Sequence, residues 1–161
     1  EGGRGLFEPI LKEQINYVNA RLVAESRGVS IAESKEEMPV NGLSLIKVNV
    51  FAGERIYSYA GTVFGHDEPR ITEIDGFRFE FRPEHHMLIV ENADKPGMIG
   101  RIGTLMGENK INISAIQVSP GKDDTSGTAM MTIGVSQKPT DEQLEKIESM
   151  ENIFKVRYVA F

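Results

Sequence analysis

Three residues with side-chain oxygen atoms suited to an ammonium group flank a Gly/Pro loop: Asn92, Asp94 and Asn112. The loop, Lys95-Pro96-Gly97, leads into a segment with helical periodicity. The first turn of a helix has N–H groups without partners and a partial positive charge, which stabilises a nearby carboxylate by about 0.3–1 kcal/mol. A site that combines carboxylate binding with ammonium binding is what a free amino acid requires.

Two strands and an amphipathic helix must position this loop. The apolar run His-Met-Leu-Ile-Val precedes it, and apolar residues recur at helical spacing after it, at Ile99, Ile102, Leu105 and Met106. Pro96 is tolerated in a first helical turn, and Gly97 and Gly100 let a ligand approach the backbone. The predicted elements are a strand over 86–92, a helix over 96–109 and a strand over 112–119.

Each residue of this loop, taken alone, is also typical of an ordinary turn that binds no ligand. Asp94, Lys95, Pro96 and Gly97 fit a turn that only starts a helix. Asn112 likewise fits the first position of the next strand. Residue types and spacing therefore leave a binding site and a simple turn both open.

The rest of the second half completes a recognisable order of elements. Thr140 and Gln143 have the spacing of a capping box in front of an apolar-periodic segment. The predicted elements are a strand over 127–136, a helix over 140–149 and a strand over 153–160. The resulting order, β-α-β-β-α-β, is that of the ferredoxin-like fold.

The first half is predicted to contain helices and then mainly antiparallel strands. Two helical segments fall within 4–28, a short strand at 29–34, one hairpin at 43–52 and 55–64, and a second at 70–82. Asp75-Gly76 is a hairpin-turn signal for the second of these. Pro83 ends the last strand, which gives domains at 1–83 and 84–161 in an α+β protein.

Composition excludes several classes of function. The chain has 161 residues, a net charge of −6 and no cysteine, so disulfides, thiolate nucleophiles and Cys-ligated zinc are excluded. The negative charge argues against nucleic acid as a partner. No apolar run approaches the roughly 20 residues of a membrane helix, and the first residues do not resemble a signal peptide. We expect a cytoplasmic protein that does not bind membranes.

Other motifs do not predict catalytic chemistry in this chain. His66-Asp67-Glu68 and His85-His86 lack the ligand spacing of a metal site, and we interpret them as turn and strand-end residues. The glycines at 3–5 and 97–103 do not satisfy G-x-G-x-x-G, so no nicotinamide site is predicted. We predict no catalytic residue, metal or cofactor in the chain itself.

The sequence resembles a known family over most of its length. D-K-P-G-M-I-G-R-I-G-T-L-M-G, N-I-S-A-I-Q-V-S and A-M-M-T-I are similar to ACT domains, which are small regulatory modules of amino-acid metabolism. L-F-E-P-I-L, V-N-A-R-L-V-A-E-S-R-G and A-G-T-V-F-G-H-D-E-P-R-I-T-E-I-D-G are similar to the intermediate domain of D-3-phosphoglycerate dehydrogenases. The resemblance implies the C-terminal regulatory part of such an enzyme, with an antiparallel-sheet intermediate domain followed by a ferredoxin-like ACT domain.

Carried over by position, the resemblance implies a site for L-serine or another small amino acid. Asn92, Asp94 and Asn112 would bind it, and the N–H groups near Met98 and Ile99 would receive its carboxylate. ACT domains would pair side by side in a homodimer or tetramer, so that Asn112 of the partner subunit completes the site.

The resemblance also implies an anion site at Arg70 and Arg82, although both also fit as solvated arginines at strand ends. NAD would belong to a catalytic part outside this chain, and we expect an excised fragment that also lacks the first strand of the intermediate domain. Feedback control of the first step of serine biosynthesis is the implied function. Two alternatives stay open: the regulatory part of an iron–sulfur L-serine dehydratase, and an oligomerisation scaffold that binds no effector.

Overall fold

The computed structural model describes residues 45–121 and 127–161, together with isolated positions between 22 and 32. Most of the helices predicted within 4–28 and of the strand predicted at 29–34 therefore lies outside the described residues. Val40–Phe161 forms one compact unit. The predicted boundary between residues 83 and 84 falls inside this unit, between its two sheets, and stays a prediction.

The first sheet is built from two successive hairpins, as the sequence predicts. Its strands are antiparallel and lie in the order β1-β2-β3-β4. Their bounds are β1 (Leu45–Ala52), β2 (Arg55–Phe64), β3 (Glu68–Ile74) and β4 (Phe77–Phe81).

The turn between β3 and β4 confirms the prediction made for Asp75-Gly76. Ile74 pairs with Phe77 across a two-residue loop, and the φ angles of Asp75 and Gly76 are 49° and 86°. A two-residue hairpin of this kind needs positive φ at both central positions, which Asp and Gly tolerate. The Asp75 carboxylate also accepts a hydrogen bond from the N–H of Ser58 at 3.0 Å, which ties the turn to β2.

The second sheet carries the predicted β-α-β-β-α-β order. Its strands lie in the order β6-β7-β5-β8 and are antiparallel throughout. The bounds are β5 (His86–Ala93), α1 (Met98–Glu108), β6 (Ile113–Pro120), β7 (Thr128–Val135), α2 (Asp141–Glu148) and β8 (Ile153–Ala160). This is the ferredoxin-like arrangement, and the α+β fold class is confirmed.

Both helices pack on one face of the second sheet. The core there is formed by Leu88, Val90, Met98, Ile102, Met106, Met131, Ile133 and Ile147, together with neighbouring apolar side chains. The predicted capping box holds α2, because the Thr140 side chain accepts from the N–H of Gln143 and the Gln143 side chain accepts from the N–H of Thr140. Packing of α1 on this face fixes its first turn beside the end of β5.

The other face of the second sheet packs against the first sheet. Ile74, Phe79 and Phe81 of the first sheet form a buried cluster with Met87, Ile89 and Met130 of the second. Alternate residues of β5 therefore enter two different cores. This explains its continuous apolar run, since a strand buried on both faces shows no polar alternation.

A charged cluster joins the two sheets beside this core. One guanidinium nitrogen of Arg157 on β8 donates to Asp75 at 3.1 Å and to Glu91 at 3.0 Å. Burial, and next the neighbouring Asp75 carboxylate, raises the pKa of Tyr59 above its ordinary value. Within the described residues, neither helix has the length and apolar character needed to span a membrane.

Candidate functional site

A cavity of about 240 Å³ lies at the start of α1. It is lined by Asn92, by loop and helix residues 94–100, and by Val118 and Met131. The cavity is therefore bounded by the end of β5, the first turn of α1, and one cross-strand residue pair of β6 and β7. The loop that the sequence singled out forms most of its wall.

Asn92 is the most informative residue of this cavity. Its side chain lies on the face of β5 that packs against the helices, and it is only 2% exposed. Its amide nitrogen donates to the carbonyl of Ala93 at 2.7 Å, whereas its amide oxygen has no hydrogen-bond partner among the described residues. A buried acceptor without a donor costs about 1–3 kcal/mol. A donor placed in the cavity would remove that cost.

The loop after Asn92 is held by backbone hydrogen bonds. The N–H of Asp94 donates to the carbonyl of Gly127 at 2.8 Å, and the N–H of Lys95 donates to the carbonyl of Ala93 at 2.9 Å. The Asp94 side chain is exposed at the rim of the cavity. The Lys95 ammonium group donates to Asn152 at 3.1 Å, and Asn152 does not line the cavity. Asp94 and Lys95 thus both line the cavity, and the Lys95 ammonium group donates to a residue outside the lining.

Helix α1 begins two residues later than predicted. Its N-cap is Gly97, whose φ of 88° is left-handed, so Pro96 lies before the cap rather than in the first turn. Gly97 provides no side chain to cap the helix, and the first turn contains no acidic residue. The N–H of Arg101 makes the first intrahelical bond, to the carbonyl of Gly97 at 3.0 Å. The preceding N–H groups are therefore available to an anion.

The predicted carboxylate-binding residues both lie at this helix tip. The Met98 side chain is buried in the core of the second sheet, while the Ile99 side chain is 50% exposed. Both residues line the cavity. These residues would bind an anion through their backbone N–H groups. The different burial of their side chains therefore does not affect anion binding.

Asn112 is not brought to this cavity within one chain. Its side chain is exposed, and its backbone exchanges hydrogen bonds with Ser136 at the start of the loop that follows β7. The structure thus groups Asn92, Asp94, Met98 and Ile99, and a role for Asn112 requires a second chain.

Sequence reasoning missed the apolar wall of the cavity. Val118 and Met131 face each other across β6 and β7 in the antiparallel register. Strand alternation places both on the helix-facing side of the sheet. The register of β6 against β7 determines that the pair Val118 and Met131, and not a neighbouring cross-strand pair, lies next to the loop.

Two family models match the chain. The D-3-phosphoglycerate dehydrogenase intervening domain matches residues 4–75, and the ACT domain matches residues 86–152. The chain joins a D-3-phosphoglycerate dehydrogenase intervening domain to an ACT domain. The match confirms the resemblance described from the sequence. The candidate cavity lies within the ACT domain.

Curated relatives agree with this assignment. D-3-phosphoglycerate dehydrogenase of Archaeoglobus fulgidus is 42% identical over 156 residues, which is 97% of this chain and 29% of that protein. The enzymes of Methanocaldococcus jannaschii and Bacillus subtilis are 32% and 30% identical, over 97% and 96% of this chain. The chain spans 29% of the length of each of these relatives.

A second cavity, of about 320 Å³, lies between the ACT sheet and the first sheet. It is lined by both arginines predicted to bind an anion, Arg70 and Arg82. Glu80 and Glu84 line it as well, and Arg70 donates to Glu68 at 3.0 Å. The structure therefore brings the two arginines to one cavity but surrounds them with carboxylates.

Two of the three histidines, His85 and His86, are engaged in local contacts. The imidazole of His85 lies 2.7 Å from the carbonyl oxygen of Phe161, and that of His86 lies 2.6 Å from the Tyr158 hydroxyl. His66 is exposed in the turn after β2. Across the described residues, no group of three or more His, Asp or Glu side chains is arranged to hold a metal ion.

Proposed function

We propose that this chain is the regulatory part of an NAD-dependent D-3-phosphoglycerate dehydrogenase and that L-serine binds at the start of α1. The observation that carries the proposal is the buried, unpartnered amide oxygen of Asn92 in a cavity at an uncapped helix tip. The acceptor and the helix amides have opposite polarity. Their combination suits a zwitterion better than a simple cation or anion.

The proposed binding mode uses each group once. The amino-acid carboxylate accepts from the N–H groups of Met98 and Ile99. The ammonium group donates to the Asn92 oxygen and lies next to the Asp94 carboxylate. Because the Lys95 ammonium group is bound to Asn152, it leaves Asp94 free to face the ligand.

The same proposal assigns Asn112 to a neighbouring copy. Two ACT domains would associate side by side in a homodimer or tetramer, and Asn112 of the partner subunit would supply a further oxygen. A ligand that bridges two chains favours one relative orientation of them. Coupling free energies of this kind are typically about 1–3 kcal/mol. NAD would bind in the catalytic part of the enzyme. The role of this enzyme in serine biosynthesis is consistent with a cytoplasmic location of the protein.

Isothermal titration with L-serine tests the site. We expect binding to the wild-type chain and a two- to fivefold weaker affinity in Asp94→Ala, because the carboxylate is exposed and its attraction to the ammonium is screened. Ethanolamine and 3-hydroxypropanoate each lack one of the two charged groups and should bind far more weakly. Asp67→Ala, which removes an exposed carboxylate in the turn after β2, is the matched control. Equal affinities for wild type and Asp94→Ala would remove the assignment.

The same titration separates the alternatives. A chain that gives no heat with any amino acid, yet still self-associates in analytical ultracentrifugation, would be an oligomerisation scaffold. The iron–sulfur L-serine dehydratase hypothesis is disfavoured, since residues 4–75 match an intervening domain of the dehydrogenase.

A second candidate function is anion binding between the sheets, supported by the common cavity of Arg70 and Arg82. Inorganic phosphate is the probe, and we expect Arg82→Ala to weaken its binding about fivefold, as one partly exposed charge contact allows. Arg78→Ala is the control, because Arg78 is exposed on β4, which ends at Phe81 just before Arg82, and does not line the cavity. Equal effects of the two variants would remove Arg82 from the proposed anion site.

A further inference from the structure

We propose that Asn152 is a positioning residue of the amino-acid site at the start of α1. Asn152 does not line the cavity and belongs to the α2–β8 turn, which comprises residues 149–152. It acts through the loop that forms the cavity wall. The inference rests on the proposed amino-acid site and concerns how the loop is held in its binding conformation.

Asn152 contacts the loop at two points. Its backbone carbonyl accepts from the N–H of Ala93 at 2.8 Å, and its side-chain oxygen accepts from the Lys95 ammonium group at 3.1 Å. Ala93 and Lys95 alternate along the chain with Asn92 and Asp94, whose oxygens are proposed to bind the ligand ammonium group. The placement of those oxygens therefore depends on Asn152.

The same turn also holds the helix side of the cavity. The guanidinium group of Arg101 in α1 donates to the backbone carbonyl of Glu151 at 2.9 Å. Glu151 and Asn152 are consecutive, so one turn contacts both the loop and the helix. It thereby fixes the spacing between the groups that suit an ammonium and the N–H groups that suit a carboxylate.

The loop itself depends on such outside contacts. Residues 94–97 lie between β5 and α1, and all four are exposed. The strands β7 and β8 flank β5 on opposite sides. Gly127, just before β7, accepts from the N–H of Asp94 on one side, and Asn152, just before β8, holds the loop on the other. A loop that a ligand must first order binds more weakly than one already held in place.

The backbone conformation of the turn does not by itself require asparagine at position 152. Asn152 has a left-handed φ of 70°, which asparagine tolerates well. Lys110, in the turn after α1, has a φ of 56°. A lysine thus serves in a similar backbone conformation elsewhere in the chain, and the Asn152 side chain contributes an acceptor for the loop in addition.

Asn152→Gly tests this contribution. Glycine adopts a positive φ and keeps the backbone carbonyl that binds Ala93, so the variant removes only the side-chain contact with Lys95. Isothermal titration of the full chain should show L-serine binding about threefold more weakly than in the wild type, within the usual effect of one hydrogen bond.

Two further variants separate this role from a general effect on folding. Lys110→Gly is the matched control, because it makes the same substitution at a positive φ and Lys110 does not line the cavity. It should keep wild-type affinity. Asn152→Asp keeps an oxygen for the Lys95 ammonium group and should restore affinity to within twofold of wild type. Urea denaturation checks that each variant is folded.

A double-mutant cycle with Lys95→Met identifies the path of the effect. Lys95 lines the cavity, so its ammonium group could also reach the ligand directly. If Asn152 acts by holding Lys95, the double variant Lys95→Met and Asn152→Gly should bind L-serine no more weakly than the weaker single variant. Additive losses would mean that the two side chains act separately, and this result would overturn the inference.

The remaining outcomes distinguish this inference from the proposed function. If the wild type binds L-serine and Asn152→Gly binds it equally well, Asn152 is not a positioning residue and the amino-acid site stays in place. An equal loss of affinity in Lys110→Gly would overturn the inference in the same way. If the wild-type chain does not bind L-serine, the proposed function fails and the role of Asn152 fails with it.

Discussion

Replacing Asn92 by leucine should strongly weaken L-serine binding without destabilising the fold. The variant removes the buried oxygen proposed to accept from the ligand ammonium group. A hydrogen bond to a charged group contributes about 1.5–3 kcal/mol, so affinity should fall roughly ten- to 150-fold. Leucine has the same branching and the same number of side-chain heavy atoms as asparagine, and the position is buried on the helix-facing side of β5.

The expected stability of Asn92→Leu follows from the same atoms. The substitution removes an unpartnered buried oxygen, which costs about 1–3 kcal/mol, and loses the bond from the amide nitrogen to Ala93, which contributes about 0.5–1.5 kcal/mol. The free energy of unfolding should therefore stay within about 1 kcal/mol of wild type or rise. Urea denaturation monitored by circular dichroism measures it.

Asn109→Leu is the matched control for this experiment. Asn109 also donates from its amide nitrogen to a backbone carbonyl, that of Leu105, at 2.7 Å. Its oxygen, however, accepts from Gln143 at 3.3 Å, so no acceptor is left unpaired. We expect Asn109→Leu to lose stability and to keep L-serine affinity, the reverse of Asn92→Leu. Unchanged L-serine affinity in Asn92→Leu would contradict the proposed site.

The order of elements could be predicted because local signals agreed with long-range packing. The turn at Asp75-Gly76 needs two positive φ angles, and the sequence offers two residues that tolerate them. The capping box of Thr140 and Gln143 marks the start of α2 within one turn. Each of these features depends on neighbouring residues alone, which is why one sequence was sufficient.

The start of α1 shows where local reasoning was too permissive. Pro96 fits a first helical turn, so the sequence predicts a helix from residue 96. Gly97 instead takes a left-handed φ of 88°, which ends the preceding loop and moves the first helical residue to Met98. Glycine adopts both helical and left-handed φ angles, and the residues next to Gly97 do not favour one over the other.

Features created by contacts between distant strands could not be predicted. Val118 reaches the cavity because of the β6–β7 register, which includes an irregularity between Ile113 and Ala115. The burial of Asn92 depends on how α1 packs over β5. The cluster around Arg157 depends on which face of the second sheet meets the first sheet.

Arg157→Met should lower the free energy of unfolding by about 2 kcal/mol. Arg157 is the cation shared by the Asp75 and Glu91 carboxylates, and its removal leaves two like charges together between the sheets. Breaking a fully buried ion pair costs about 3–5 kcal/mol, and the side chains here are 21%, 19% and 33% exposed, which reduces that cost. Lys47→Met, which breaks an exposed pair with Glu73, should cost less than about 1 kcal/mol.

A neutral version of the cluster distinguishes charge from packing. In the triple variant Arg157→Met, Asp75→Asn and Glu91→Gln, no charge is left unpaired, and asparagine keeps both the turn conformation and an oxygen for the Ser58 N–H. Arg157 also has a buried Nε without a partner among the described residues, so its loss removes one unfavourable group. Urea denaturation should therefore return the triple variant to wild-type stability or above. If it is as unstable as Arg157→Met, the arginine stabilises the sheets through packing, and the two carboxylates contribute little.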